Sequence, residues 1–211
     1  MILILVAALI SSVFCSLMTE QLQKQIVAVH NDMRSKCARG ILQGRDEKIG
    51  PAAFMWHMRW NVNFARLAQA YTDTFPTAHN LKHVADNLSD NYYYASSPKK
   101  LDAGKTVMEA LKIWQNRVTK NSWDGNVLTQ SHLAKNMADA VRMLWGSNAG
   151  VGCGLSARSR AGKQNELFFV CFYGQPMDVG KEIFKKGPTC SACTGTRKCD
   201  KSIGLCKGNW R

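Results

Sequence analysis

The stretch MADAVRMLWGSNAGVGCG, residues 137–154, is where the chain changes from a helical to an extended pattern. Its first half completes the segment HLAKNMADAVRMLW, whose apolar spacing predicts a helix stopped by Gly146. After this glycine, GVGCGLSARSR and NELFFVCFYGQP are short runs rich in β-forming residues, and the loop joining them contains Ala161, Gly162 and Lys163. The two runs predict a pair of antiparallel strands.

Helical patterns dominate the part of the chain that precedes this stretch. From Thr19, a favourable N-cap residue, apolar side chains recur along one face as far as Cys37, which predicts a helix ending near Gly40. Two later segments, MWHMRWNVNFARLAQAYTDTF and AGKTVMEALKIWQNRVTK, also predict helices. Their apolar residues at helical spacing are Val62, Ala65, Leu67, Ala68 and Tyr71 in the first and Val107, Ala110, Leu111, Trp114 and Val118 in the second.

The order of these elements indicates the fold class. Between the second and third helices, the aromatic run NLSDNYYYASSP predicts a short strand or an extended edge. Most helices come first and the strand pair comes later. This order predicts an α+β layered domain rather than alternating βαβ units.

The first sixteen residues, MILILVAALISSVFCS, contain no charged side chain. Their apolar run of roughly ten residues is shorter than the about 20 that a membrane span needs. Small residues follow it, so residues 1–16 are typical of a secretory signal peptide cleaved near Cys15 or Ser16. We therefore expect a secreted, extracellular protein that has no membrane span.

The formal net charge of +13 indicates an affinity for acidic surfaces such as glycosaminoglycans, anionic lipids or acidic proteins. The alternative is that basic charge only keeps an extracellular protein soluble. A nucleic-acid partner is not expected, because the protein is predicted to leave the cell and contains no recognisable nucleic-acid module.

Eight cysteines are present, and loss of Cys15 with the signal peptide leaves seven. In an oxidising compartment most of them should pair, and an odd number leaves one thiol over. Cys37 lies on the buried stripe of the first predicted helix, where a thiol behaves as a small apolar side chain. We therefore predict that Cys37 is the free thiol.

The C-terminal segment, residues 181–211, contains four cysteines, eight Lys or Arg residues and two acidic ones. It has almost no apolar residues, so we expect two disulfides to hold it. The CSAC pattern followed by a second cysteine pair also suggests a zinc ribbon, but secretion favours disulfides. The segment is a candidate contact surface because it is the most basic part of the chain.

Common catalytic patterns are absent: the sequence has no G-x-S-x-G, H-E-x-x-H or P-loop motif. Burial disfavours Cys37 as a nucleophile, since a reactive thiolate needs exposure and a nearby positive charge. His30 is interpreted as a hydrogen-bonded packing residue rather than a base. His79 and His83 have the spacing of a metal pair on a helix, but Pro76 and Asn80 disfavour a continuous helix there.

Several motifs, in this order, resemble those of the CAP superfamily (cysteine-rich secretory proteins, antigen 5, pathogenesis-related 1). AVHNDMRSKCARG is similar to its first-helix motif and MRWNVNFARLAQAYT to its second helix. RMLWGSNAGVGCG resembles the end of its first signature and FFVCFYGQPMDVG its second signature. The tail after GKEIFKKG resembles the cysteine-rich hinge of nematode venom allergen-like, or activation-associated secreted, proteins.

The resemblance implies a three-layer α-β-α sandwich with a central antiparallel sheet, followed by a small cysteine-rich hinge. We accordingly divide the chain into a signal peptide (1–16), a CAP domain (17–180) and a basic hinge or tail (181–211). The resemblance also implies a disulfide between Cys153 and Cys171. The hinge cysteines would form two further bridges; they are Cys190, Cys193, Cys199 and Cys206.

The family's central cleft usually holds two histidines and two glutamates that can bind a divalent metal. In this sequence the resemblance places Asp139 at one histidine position, and Asp90 and Arg117 at the glutamate positions. The other histidine is matched by His83, or by His79 if the loop register differs. Arg117 brings a permanent cation, which we expect to bridge Asp90 and Asp139 instead of tolerating a metal. The resemblance therefore implies a degenerate cleft with no catalytic residues, no metal and no cofactor.

Arg142 stands where the family's first signature usually has glutamine. Asn87 begins Asn-Leu-Ser, the only N-glycosylation sequon in the chain. We expect partial glycosylation or none at Asn87, because it lies three residues before Asp90 at the predicted edge of the cleft.

Three functions compete. The first is a secreted, non-enzymatic parasite effector that binds host proteins or cell surfaces, with platelet or leukocyte integrins as one class of target; the sequence lacks Arg-Gly-Asp and Lys-Gly-Asp. The second is a sterol or fatty-acid carrier, with Tyr92, Tyr93 and Tyr94 near the second helix lining a pocket or packing as ordinary sheet residues. The third, a protease or metal hydrolase, is disfavoured by Arg117 and Asp139.

Overall fold

The computed structural model describes residues 17–76, 87–159 and 164–208, so the predicted signal peptide and both His79 and His83 lie outside the described residues. The helices are α1 (Glu20–Ala38), α2 (Val62–Asp73), α3 (Ala103–Gln115), α4 (Arg117–Lys120), α5 (Gln130–Ala134) and α6 (Ala138–Leu144). The strands are β1 (Leu42–Gln43), β2 (Lys48–Ile49), β3 (Ala52–Phe54), β4 (Arg59–Trp60), β5 (Ser89–Ser97), β6 (Gly150–Ser159), β7 (Asn165–Tyr173), β8 (Lys185–Lys186), β9 (Lys198–Asp200) and β10 (Leu205–Lys207). Within these ranges no helix is both long and apolar enough to cross a membrane.

A four-stranded sheet with the order β4-β6-β7-β5 forms the middle layer. Its three long strands pair antiparallel, whereas the two-residue β4 lies parallel to β6 at one edge. Side chains of β7 alternate between the two faces. Val170 and Phe172 pack with α2, whereas Phe169 and Cys171 face the large core that α1, α3 and α6 share. The predicted α+β class and the three-layer α-β-α sandwich implied by the resemblance are confirmed.

Two glycines of the GVGCG motif allow α2 to lie directly on the sheet. A Cβ atom at Gly152 would lie 2.2 Å from the backbone nitrogen of Ala65, and one at Gly154 would lie 2.3 Å from the backbone of Ala68. Both distances are far shorter than a van der Waals contact. These positions of β6 therefore accept only glycine. The contact sets the distance between α2 and the central sheet.

Several predicted helices are shorter than the sequence pattern indicated. The N-cap of α1 is Thr19, as predicted, and its side chain accepts a hydrogen bond from the backbone of Leu22. The helix predicted across HLAKNMADAVRMLW is instead two helices, α5 and α6, because Asn136 adopts a left-handed conformation with φ of 55°. Asn116 similarly separates α3 from the one-turn α4. Residues 55–60 are not helical, and α2 begins after its N-cap Asn61.

Arg34, which the sequence analysis did not single out, is a fully buried cation on α1. Its guanidinium donates to five backbone carbonyls, which belong to Trp56, Met143, Trp145, Gly146 and Asn148, at donor–acceptor distances of 2.9 to 3.1 Å. These contacts use all of its N–H groups. Burial lowers the pKa of Arg34 to about 9, so the side chain remains charged at neutral pH.

The disulfides agree with the pairing implied by the resemblance. Cys153 and Cys171 are directly opposite each other on β6 and β7, and they are bonded. The hinge contains the bridges Cys190–Cys199 and Cys193–Cys206. The tail is also held by apolar contacts that its composition did not indicate, since Ile183, Phe184 and Leu205 are buried in the main core.

Cys37 is the free cysteine among the described residues, and it is fully buried. Burial raises the pKa of its thiol to about 12. The side chain therefore stays a neutral thiol under physiological conditions, as the position on the apolar stripe of α1 predicted.

Candidate functional site

Two of the predicted cleft residues meet at the inner face of the helical layer. Asp139 lies in the first turn of α6 and Arg117 begins α4. Nε of Arg117 donates to Oδ2 of Asp139 across 3.3 Å. This ion pair is the Asp139 half of the predicted bridge, whereas a contact between Arg117 and Asp90 stays a prediction. His83 lies outside the described residues.

Arg142 supplies a second cation that the sequence analysis did not assign to the cluster. Its Nη1 atom lies 3.9 Å from Oδ1 of Asp139, one helical turn away. Burial raises the pKa of Asp139, the charges of Arg142 and Arg117 oppose that rise, and the charge of Asp90 adds to it. Asp139 is thus a partly buried carboxylate compensated by two guanidinium groups.

A chain of hydrogen bonds continues from this cluster into α1. Nη1 of Arg142 donates to Oδ1 of Asn91 across 3.3 Å, and Nδ2 of Asn91 donates to the Tyr173 hydroxyl across 3.1 Å. His30 Nδ1 lies 2.8 Å from the carbonyl oxygen of Ile26 and therefore carries the proton. The Tyr173 hydroxyl, 2.9 Å from Nε2 of His30, then donates its hydrogen to this nitrogen. The interpretation of His30 as a hydrogen-bonded packing residue is confirmed.

The titratable groups in this chain of hydrogen bonds, His30 and Tyr173, are poorly suited to acid–base chemistry at neutral pH. Burial lowers the pKa of His30 to about 4 and raises the pKa of Tyr173 well above its usual value. Both ring nitrogens of His30 are already engaged. Cys37, the free thiol on the same helix, is buried and protonated. A catalytic cysteine has to be available as a thiolate, and burial keeps Cys37 protonated. A catalytic base needs a free ring nitrogen, and His30 has none.

The three consecutive tyrosines of β5 pack against neighbouring side chains. Tyr92 packs with α2 and Tyr93 against the main core. Tyr94 is partly exposed; its hydroxyl donates to Glu166 across 2.9 Å and its ring lies 5.0 Å from that of Phe168. The structure thus favours ordinary sheet packing for these residues over the lipid pocket considered from the sequence.

A groove of about 760 Å³ lies elsewhere, along the outer face of α1. Its floor is apolar and combines residues from distant parts of the chain, namely Val27, Met58, Trp60 and Ile203. Charged side chains form its exposed rim, among them Glu20, Lys24, Asp32, Arg39 and Arg59. No local pattern in the sequence indicated this groove.

The sequon at the start of β5 is only partly accessible in the folded chain. Asn87 is exposed, whereas Ser89 is buried and its hydroxyl donates to the carbonyl of Gln175 across 2.7 Å. Partial glycosylation of Asn87 stays a prediction.

Comparison with known proteins gives concordant matches. A family model described as the cysteine-rich secretory protein family, CAP, matches residues 27–173. The cysteine-rich venom protein of Tityus serrulatus is 29% identical over 90% of this chain and 46% of its own length. The Ancylostoma secreted protein of Ancylostoma caninum is 26% identical over 90% of this chain and 45% of its own length. The chain therefore spans about half the length of these two relatives.

Solved structures share the fold. The crystal structure of NaASP2 with Zn²⁺ has a TM-score of 0.80 and 26% identity, and the match covers 90% of this chain and 96% of that one. The structure of a hookworm platelet inhibitor has a TM-score of 0.65 and 19% identity over 92% of this chain and 93% of that one. The second likeness concerns the fold alone.

The described cleft residues do not suit a metal ion like the one in NaASP2. Zinc requires three or four deprotonated N, O or S ligands at about 2.0–2.3 Å. Across residues 17–76, 87–159 and 164–208, no three His, Cys, Asp or Glu side chains are grouped so that they could hold a metal. Asp139, the partly buried carboxylate of the predicted cleft, is already contacted by two arginines.

Zinc binding provides a direct test of the cleft. We expect isothermal titration of the mature protein to show no stoichiometric binding at micromolar Zn²⁺, because two fixed cations repel the ion and compensate Asp139. The double substitution Arg117→Glu and Asp139→His restores two inherited donors and should bind zinc more tightly than the unaltered chain. Stoichiometric micromolar binding that Asp139→Ala abolishes would contradict this interpretation.

Proposed function

The chain belongs to the cysteine-rich secretory protein (CAP) family, and on this premise we propose that it is a secreted, non-enzymatic parasite effector that binds host proteins or cell surfaces. The predicted signal peptide and the three disulfides support action outside the cell. The names of the relatives, which include a venom protein and a secreted protein of Ancylostoma, support the same setting.

The observation that carries this proposal is the pairing of Arg117 with Asp139 at the centre of the cleft. At this position an enzyme or a metal-dependent site needs donor atoms that are available to substrate or ion. Here the carboxylate is contacted by Arg117 and Arg142, and His30, at the far end of the hydrogen-bond chain, is buried and neutral. The cleft thus serves as a packed structural element, and binding is assigned to the outer surface.

Host cell-surface proteins are the proposed class of partner, with platelet or leukocyte integrins as the first candidates. The hookworm platelet inhibitor shares this fold, which motivates the candidate. The sequence has no Arg-Gly-Asp or Lys-Gly-Asp tripeptide, so integrin binding would use a different surface. The net charge of +13 also favours anionic surfaces on the host cell.

Cell binding tests this proposal. Labelled mature protein should bind platelets or leukocytes saturably, and mild trypsin treatment of the cells should remove the binding because the partner is a protein. Flow cytometry measures both. The cleft substitution Arg117→Gln should change the apparent Kd by less than about twofold, since the exposed partner site does not use the cleft.

The opposite results would contradict the proposal. Cell binding that is lost when the Arg117–Asp139 pair is broken would show that the cleft is the binding site. Hydrolysis of a peptide or ester by the mature protein, lost in Asp139→Ala, would show that the chain is an enzyme.

The groove along α1 supports a second candidate, extracellular carriage of a sterol or fatty acid. Its volume of about 760 Å³ lies within the about 300–1,000 Å³ common for small-molecule sites, and its floor is apolar. Native mass spectrometry of protein secreted from eukaryotic cells discriminates the two functions. A carrier should arrive with a bound lipid, and Ala28→Trp, which places a large side chain in the groove from the exposed face of α1, should reduce the amount bound. An effector should arrive unloaded.

A further inference from the structure

The C-terminal segment presents a dense group of cations. Among its described residues, 181–208, seven are Lys or Arg, and only Glu182 and Asp200 are acidic. We use the term basic band for the six cations from β8 to β10, which are Lys185, Lys186, Arg197, Lys198, Lys201 and Lys207. Arg197 is half-buried and the five lysines are exposed.

Phe54 brings the two ends of the basic band together. Lys185 is its strand partner where β8 pairs with β3. The guanidinium carbon of Arg197 lies 5.1 Å from the centroid of the Phe54 ring, within the range of a cation–π contact. Lys185 of β8 and Arg197, which directly precedes β9, therefore both lie beside Phe54, so the two ends of the basic band adjoin.

The β9–β10 pair extends this surface and contains one acidic residue, which is already neutralised. Lys198 and Lys207 are directly opposite each other. Nζ of Lys207 lies 2.6 Å from Oδ2 of Asp200. In the described part of the chain, Lys185, Lys186, Lys198 and Lys201 have no carboxylate partner. The band consequently has several uncompensated positive charges.

The scaffold beneath these cations is rigid. The disulfides Cys190–Cys199 and Cys193–Cys206 cross-link it, and Leu205 anchors it in the main core. Arg197 is further oriented by hydrogen bonds from its Nε and Nη2 to Thr194, at 3.1 and 3.3 Å. A backbone that is already cross-linked loses little further conformational entropy when a ligand binds to the side chains it carries.

We propose that the basic band is a binding site for a linear sulfated polysaccharide of the heparan sulfate type. Sulfate groups repeated along an extended chain match cations arrayed along short strands, and release of counterions from the polyanion contributes to binding. The inference rests on the proposed action at a cell surface and assigns the chemistry that holds the protein there.

An anionic bilayer is the alternative ligand for a basic surface, and the surface composition disfavours it. Stable attachment to a membrane usually combines basic residues with apolar side chains that enter the lipid. The large apolar side chains that are exposed in the described structure all lie outside residues 181–208; they are Leu17, Ile41, Val62, Tyr94, Val127 and Val179. The basic band thus offers charge without an apolar anchor.

Heparan sulfate binding of two variants with equal charge tests the proposal. The band variant carries Lys185→Gln, Lys186→Gln, Lys198→Gln and Lys201→Gln. The control variant carries Lys99→Gln, Lys100→Gln, Lys112→Gln and Lys120→Gln, which are exposed lysines in the β5–α3 connection, on α3 and on α4. Surface plasmon resonance at about 0.15 M NaCl should show an affinity loss of about tenfold or more for the band variant and less than about threefold for the control.

Equal losses in the two variants would overturn the proposal, because affinity would then follow net charge and not the band. Binding to phosphatidylserine vesicles that matches heparan sulfate binding, with the same dependence on the band, would assign the surface to lipid and overturn it as well. Heparinase treatment of cells separates this inference from the proposed function. If purified heparan sulfate binds as expected but heparinase leaves cell binding unchanged, the polysaccharide site holds and the cell-surface partner is a separate protein.

Discussion

The five hydrogen bonds of Arg34 are the interaction on which the rest of the structure depends. The turn between α6 and β6 is largely buried. Backbone N–H groups donate to the carbonyls of Trp145 and Gly146, whereas those of Met143 and Asn148 receive their donors from Arg34. A buried carbonyl without a hydrogen bond costs about 1–3 kcal/mol, so this turn needs an internal donor at every acceptor. Arg34 reaches Met143, Trp145, Gly146 and Asn148 from α1. One side chain thereby ties the first helix to the point where the chain enters the sheet.

This arrangement separates the stability of the scaffold from the chemistry of the cleft. Arg34 and the contact of Gly152 and Gly154 with α2 position the layers without using the predicted cleft residues. Arg117, Asp139 and Arg142 can therefore form a charge-compensated cluster without disturbing the fold. Under our proposals, the functional surface is the disulfide-linked, basic C-terminal segment and not the cleft. Most of the charges in this segment are exposed, whereas those of the cleft are paired.

The sequence predicted much of this structure but not its central contact. Periodicity placed α1 and the β6–β7 pair, and the resemblance supplied the layers and the Cys153–Cys171 bond. Periodicity could not locate the break between helices at Asn136, because a single left-handed residue barely changes the apolar pattern. Arg34 and the α1 groove were missed for a related reason. Their partners are distant in the sequence, and a buried arginine that binds only carbonyls has no characteristic local motif.

Equilibrium unfolding in guanidinium chloride, comparing Arg34→Lys with Arg117→Gln, tests the central claim most directly. Lysine keeps the charge but has three donors at one point, so it leaves buried carbonyls unpaired. We predict a loss of about 3 kcal/mol or more for Arg34→Lys, or failure to accumulate folded protein, because each unpaired carbonyl is costly. Arg117→Gln should lose less than about 1 kcal/mol, since its ion pair is partly solvated. Equal losses, or an Arg34→Lys protein as stable as the unaltered chain, would contradict the account.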